Sequence, residues 1–277
     1  MDARDAALEA ALAAQLKGCC FASPGHLGAA WRAGGGAIHA YPTCDSTMDR
    51  AHALAREGAL VFALRQAQGR GRLGRRWESP EGGAYFSLLL KPSRPPTEIP
   101  QLSLVAGLAA AEAIHELTNL SPLIRWPNDL LLDDRKVAGI LVEASTTKDV
   151  SSFELRVSSS KYVVVGMGIN VTTDPKELPD TATSLSACGA SCGLLEPVAA
   201  VCRHFDRWYD RWTAGGFASI REALRRWLNV GQLVRLTTGD SQTEGQVTDV
   251  DESGRLLVRL DSGVVRAFEA GQVMFLQ

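Results

Sequence analysis

The chain has 277 residues and a mass of 29.7 kDa, with 45% hydrophobic residues and a formal net charge of −2. This length and apolar content suffice for a sizeable core plus a small second domain, and they exclude a disordered or fibrous chain. The near-zero net charge excludes a polyelectrolyte binder of nucleic acid, so any basic function has to be local.

The first residues, MDARDAALEAALAAQLKG, carry acids and lack both a basic start and an apolar run. They predict neither a secretory signal nor a membrane span, and hence a cytoplasmic protein. Six cysteines fit that compartment as reduced thiols. Cys188, Cys192, Cys202 and His204 match no common zinc spacing, and Cys202 falls on the apolar face of a helix, so plain packing is the better reading.

Residues 2–17 are Ala-rich and predict a short helix stopped at Gly18, too short for a helix-turn-helix domain. Residues 18–36 are rich in Gly and Ala and predict a loop. From Thr43 to Gly58 a second helix is marked by Ser46 as cap, Asp49 three residues on as in a capping box, and Gly58 as stop. The cap is the first explanation of Ser46 and Thr47; a helix start that offers N–H groups and hydroxyls to a polar ligand is the second.

Residues 59–64 and 82–92 predict buried strands on either side of RQAQGRGRLGRRW, residues 65–77. Glycines at 69, 71 and 74 free the backbone to approach a ligand, and arginines at 65, 70, 72, 75 and 76 supply planar forks for phosphate or carboxylate. This is the composition of an anion-gripping loop. A helix follows over residues 103–118, with Leu104, Leu108, Ala111 and Leu117 at helical spacing and His115 as a surface or packing residue.

In residues 123–145 Pro127 breaks a strand after Trp126, Asn128 and Asp129 stand in the turn, and Asp133 to Arg135 form a hairpin turn. The hairpin returns Lys136 towards Asp129. The pair is either a surface ion pair or a carboxylate and ammonium set beside the anion loop, with Gly139 permitting close approach of a ligand. The second arrangement suits metal-assisted phosphoryl or nucleotidyl transfer. Residues 153–157 and 162–171 predict strands joined through a serine-rich turn at 158–160, with Asn170 either reading a ligand edge or satisfying a turn. A helix over 197–213 carries Val198, Val201, Cys202, Phe205, Trp208, Tyr209 and Trp212 on one core stripe, and another spans 217–228. From Gln232 onward short alternating strands predict a small SH3-like barrel, with a boundary near Asn229 to Gly231.

The loop GRGRLGRRW (69–77), the segment RWPNDLLLDDRKVAGILVE (125–143) and the strand end GMGIN (166–170), supported by DSTMD (45–49) and the terminal barrel, together resemble the biotin protein ligases. The resemblance runs from about residue 38 to the end. It implies an α+β chain: an extension over 1–37, a catalytic domain over 38–229 with a mixed sheet flanked by helices, and an SH3-like barrel over 230–277. It also implies a form lacking the N-terminal DNA-binding domain of some members.

The implied reaction joins biotin and ATP, with Mg²⁺, into biotinyl-5′-AMP, and then transfers biotin to a lysine of a biotin carboxyl carrier domain. No tightly bound prosthetic group is implied, nor any membrane or DNA partner, and a homodimer is left open. The biotin site would comprise Ser46, Thr47, Met48, Gln66, Gly69, Arg70, Gly71, Arg72, Lys136 and Gly139. The ATP site would comprise Arg72, Arg75, Trp77, Asn128, Asp129, Lys136 and Asn170. Within these, Arg70 and Arg72 would close over carboxylate and phosphate, Arg75 would hold the outer phosphates, Trp77 would stack on adenine and Asn170 would read its edge. Lys136, Arg72 and Asp129 would be catalytic, Asp129 as Mg²⁺ ligand or as base for the incoming lysine.

A lipoate-type ligase of the same fold is the alternative. A nucleic-acid module built on the Arg/Gly loop is disfavoured by the strands on both sides of it. Arg125 replaces a usual lysine, Met48 a usual asparagine and Gln68 a usual alanine, and residues 145–161 form a longer connection than is typical; none removes a catalytic group. An acyl-adenylate must be kept from water, so the Gly/Arg loop is expected to be a lid, open when empty and ordered over the intermediate.

Overall fold

The computed structural model describes residues 3–18, 38–145 and 162–276. The loop expected over 18–36, the strand expected over 153–157 and the turn at 158–160 lie outside the described residues, apart from Gly18 itself.

A seven-stranded sheet runs in the order β1-β2-β3-β7-β6-β5-β4. Its strands are β1 (Ile38–Tyr41), β2 (Leu60–Ala63), β3 (Gly83–Leu90), β4 (Leu123–Arg125), β5 (Asp129–Leu132), β6 (Arg135–Ser145) and β7 (Tyr162–Asn170). Only β1 and β2 pair in parallel; the remaining ladders are antiparallel, so the sheet is mixed. Helix α1 (Ala3–Gly18) packs on β1, and α2 (Thr47–Leu54) packs on β2, β3 and β7. Helices α3 (Leu102–Thr118) and α4 (Leu195–Gly215) pack together, and α5 (Ala218–Arg225) lies beside them.

The strand period of two divides the sheet. Val163, Val165, Met167 and Ile169 of β7 face the large core with Phe62, Phe86, Leu108 and Phe205, whereas Val164 joins Met48, Ala51, Val61 and Leu89 under α2. The second face therefore carries Gly166, Gly168 and Asn170, and two of those positions have no side chain. The expected stripe on α4 is buried throughout. Truncating one of its large aromatics to Ala would cost about 3–5 kcal/mol.

The C-terminal strands β8 (Leu233–Thr238), β9 (Ser241–Val250), β10 (Leu256–Arg259), β11 (Val265–Phe268) and β12 (Gln272–Phe275) form an antiparallel SH3-like sheet in the order β11-β10-β9-β8-β12. It is stitched to the larger sheet by Trp126 Nε1–H donating to Gly254 O (3.0 Å) and Gln101 Nε2–H to Ser253 O (3.2 Å).

Helix α2 is shorter than the expected span of 43–58. Its forerunner residues are drawn into backbone bonds with the arginine loop, Cys44 N–H to Arg65 O and Ala67 N–H to Cys44 O, and it ends at Ala55, which takes a left-handed φ of 46°. The Ser46 side chain makes no capping bond. The α5 span is likewise shorter than 217–228, because Trp227 and Leu228 turn to bridge β4.

Candidate active site

The polar face of the sheet, under α2 and the loop of residues 65–77, holds a pocket. It is lined by Ser46, Thr47, Met48, Gln66, Arg70, Gly71, Arg72, Trp77, Asn128, Lys136 and Gly139 from the expected set, with Ile140, Leu141, Gly166, Met167 and Gly168 in addition. About 50 Å³ remains open in it. Sequence reasoning passed over Gly166, whose signal was present: isolated glycines inside an apolar strand mark close approach by another group.

That group is a side chain. A Cβ on Gly168 would stand 2.5 Å from Trp77 Nε1, one on Gly139 2.7 Å from Trp77 Cζ3, and one on Gly166 2.6 Å from Met48 Sδ. The indole of Trp77 thus lies on the floor of the pocket with Lys136 Nζ 4.9 Å from its ring centre. Its ring lies against Gly139, Gly168 and Lys136, and Lys136 belongs to both the expected biotin set and the expected ATP set.

The head-group end is ordered by one amide. Gln66 Oε1 accepts from Thr47 N–H (2.8 Å) and lies 3.2 Å from the Thr47 hydroxyl, Gln66 Nε2–H donates to Ser79 Oγ (3.0 Å), and the hydroxyls of Thr47 and Ser87 are 2.8 Å apart. Ser46 Oγ and Trp77 Nε1 are buried with no hydrogen-bond partner among the described residues. A buried polar atom left unpaired is costly, so both are offered to whatever fills the pocket. The capping role expected for Ser46 gives way to this one.

The loop is folded down onto the sheet and not open. It is a small hairpin: Trp77 N–H donates to Gly69 O (3.0 Å) and Gly71 N–H to Arg75 O (2.7 Å), with Leu73 at the tip in a left-handed φ of 56°. Gly69 is required at the neck, since a Cβ there would stand 2.4 Å from the backbone oxygen of Trp77. Gly69 itself is outside the pocket lining.

The arginines diverge. Arg70 Nη2 meets Glu143 Oε2 (2.8 Å) and Asp49 Oδ1 (3.0 Å). Arg72 Nη1–H donates to Asn128 Oδ1 (2.9 Å) and reaches Gly271 O at 3.4 Å. Burial lowers the pKa of Arg72, against the pull of Asp129. Arg75 donates to Gln272 Oε1 (2.6 Å) in the C-terminal sheet and stands outside the pocket.

The hairpin between β5 and β6 turns through Asp133 and Asp134, both at positive φ, and returns Lys136 to Asp129 as expected, with Nζ 2.5 Å from Oδ1. That oxygen has no donor in hydrogen-bond geometry, so the ammonium meets it as a charge. Arg125 takes the other oxygen, Oδ2, at 2.7 Å. A cation therefore stands at each carboxylate oxygen of Asp129, which holds Lys136 in place. The Lys136 backbone is pinned by Thr181 and Thr183. Asn170 shares a face with Gly168 but is 1% exposed, its Nδ2–H donating to Thr183 O (2.9 Å), and it does not line the pocket.

A larger cavity of about 950 Å³ opens on the other side of Arg72, between Trp126-Pro127, the start of α3 and the turns of the C-terminal sheet around Ser253–Arg255 and Glu269–Ala270. Arg72, Ile140 and Leu141 line both spaces.

An acid whose body fills this pocket would find the cations of Arg72 and Lys136 in its lining, with Arg72 also walling the second cavity, the arrangement of an acid-activating ligase. Residues 41–170 match the Biotin/lipoate A/B protein ligase family and residues 230–276 the biotin protein ligase C-terminal domain. The bifunctional ligase/repressor BirA of Bacillus subtilis is 35% identical over 81% of this chain and 70% of its own. The biotin–[acetyl-CoA-carboxylase] ligase of Paracoccus denitrificans is 32% identical over 78% and 90%. A solved biotin protein ligase from Aquifex aeolicus, in complex with biotin and ATP, superposes with a TM-score of 0.72 at 29% identity, over 87% of this chain and 99% of that one. The chain belongs to the biotin protein ligase family.

Proposed function

We propose that the protein activates biotin with ATP to biotinyl-5′-AMP and transfers the acyl group to a lysine of a biotin carboxyl carrier domain. The observation that carries this reading is Arg72, which walls both the acid pocket and the larger cavity, with Lys136 also lining the acid pocket. A mixed anhydride has to form where an acid site and a nucleotide site meet.

The head group of the acid enters beneath α2, where Ser46 Oγ and Trp77 Nε1 supply the unpaired polar atoms and Gln66 is held in place by Thr47 and Ser79. The carboxylate oxygen attacks the α-phosphorus and pyrophosphate leaves; the negative charge that builds up is met by the fixed cations of Lys136 and Arg72, and removing such a group costs about 10²–10³ in rate. Asp129 holds Lys136 in the lining of the acid pocket. In the second step the neutral amine of the acceptor lysine enters through the larger cavity and attacks the acyl carbon, the amine proton passes to solvent and AMP departs. Mg²⁺ would accompany ATP on its phosphates.

With the loop folded down over the pocket, entry of the acid calls for the loop to lift and then reseat over the adenylate. The test is incubation with ATP, Mg²⁺ and either biotin or lipoate, with a biotin carrier domain as acceptor, reading pyrophosphate release and labelled lysine. Labelling from biotin is expected; labelling from lipoate alone, or no adenylate from either acid, overturns the proposal.

A further inference from the structure

We propose that Glu143 and Asp49 form a latch which holds Arg70, and through it the lid, down over the activated acid, so that these two carboxylates set how long the adenylate is retained. The inference rests on the adenylating reading above but concerns residues that touch no substrate in it.

The receiving side of the latch belongs to fixed elements. Glu143 lies on β6, two and four residues beyond Leu141 and Gly139, the β6 residues of the pocket wall, and is paired in register with Val164 of β7. Asp49 stands in the first turn of α2. One helical turn on, His52 Nε2 meets the same Oε2 of Glu143 at 3.3 Å that Arg70 uses. The His52 hydrogen bond is the leading cause that lowers the pKa of Glu143, and Arg70 adds to it. The carboxylate is thus oriented from α2 whether or not the lid is down.

Only Arg70 Nη2 has to arrive, and it meets both carboxylates at once. The other lid arginines tie to the opposite side, Arg72 to Asn128 and Arg75 to Gln272. The lid is therefore strapped on two sides, and beyond its neck, which Gln66 and the backbone tie to the start of α2, the strap on that side is the charged contact of Arg70. Its strength suits a part that must release in each turnover: the Arg70 and Asp49 side chains are 37% and 56% exposed, where ion pairs are weak and screened. Asp49 and Glu143 are positioning residues, acting through Arg70.

The test forms radiolabelled biotinyl-5′-AMP on the full chain and chases with excess unlabelled biotin. Release is expected to be roughly threefold faster in Glu143→Gln and in Asp49→Asn and about tenfold faster in the double variant, the scale that exposed pairs allow. The pyrophosphate burst should stay within about twofold of wild type, because the groups at the junction are untouched, and added salt should erase most of the difference. Glu143→Asp, which keeps the charge, should restore part of the retention. A loss of general structure would lower the burst and the melting temperature instead of the retention alone.

Asp49→Asn decides by itself if Glu143→Gln does not fold, since Asp49 is exposed. A wild type that makes and holds the adenylate, with a double variant that releases it at the same rate, overturns the latch and leaves the ligase reading standing. A wild type that makes no adenylate overturns both.

Discussion

The floor of the acid pocket and the lid above it are held by forces of different kinds. The floor is backbone: β3, β7 and β6 run antiparallel for eight paired residues on each side of β7, with glycines at the positions that must stay flat and a core of large side chains beneath. The lid is a hairpin of thirteen residues, 65–77, tied down by exposed or half-buried arginines and by one indole. Ladders and buried apolar area are lost only on unfolding, whereas exposed ion pairs exchange with water at little cost. A site that must admit a substrate, exclude water and then admit a lysine needs both kinds of construction.

The sharpest break in that contrast removes the fixed charge at the junction. Lys136→Ala is expected to slow adenylate formation by about 10²–10³-fold with the fold intact, read as the pyrophosphate burst in stopped flow. Next, Gly168→Ala places a Cβ within 2.5 Å of the Trp77 ring. The strand can accept alanine but the indole cannot stay, so the lid should fail to seat, with roughly a 10²-fold loss in the burst and a change in Trp fluorescence.

Arg72→Ala cuts the lid from Asn128 and Gly271. It should release adenylate about tenfold faster, seen as biotinylation of bystander lysines, and should also slow its formation. Gln272→Ala removes only an exposed partner of Arg75, and an effect below about twofold is expected on either step.

The smallest effect lies away from the site, on the outer faces of α3 and α4. The Arg203 hydrogen bond, and after it that of His204, bring the Glu116 carboxyl from 4.5 down to about 2 against the opposing effect of burial. A carboxyl depressed in the folded state stabilises above its unfolded value, and the gain is lost as pH falls from about 4.5 towards 2. Glu116→Gln should flatten the fall in melting temperature across that window and leave catalysis unchanged. The side chain is 43% exposed, so the effect should stay below about 1 kcal/mol.

Much of this was legible in the chain itself. The helices α3 and α4, the strands on either side of the arginine loop and the C-terminal sheet follow from apolar period. The two-residue turn of the β5–β6 hairpin sets Leu131 opposite Lys136 and so carries Lys136 back towards Asp129, whereas the bulge that sets Asp129 opposite Gly139 was not readable.

The directions of the arginines were not legible. Arg70 reaches Glu143 across 73 residues and Arg75 reaches Gln272 across 197, and no local pattern encodes a partner at that distance. The same holds for Ser46. Its place before a helix suggested a cap, but Gln66, 19 residues after Thr47, takes the helix N–H in its stead. Asn170 has the residue type of an edge reader, and only the structure shows that its Nδ2–H is taken by Thr183 O while its Oδ1 has no partner among the described residues. By itself the sequence determined the kinds of groups and the elements that carry them, because periodicity, turn chemistry and charge act within a few residues. Only the tertiary structure decided that Trp77 lies on a glycine floor, that Asp129 is spent on two cations and that the lid is strapped on both sides, because those outcomes depend on which distant surfaces the packing brings within a few ångströms.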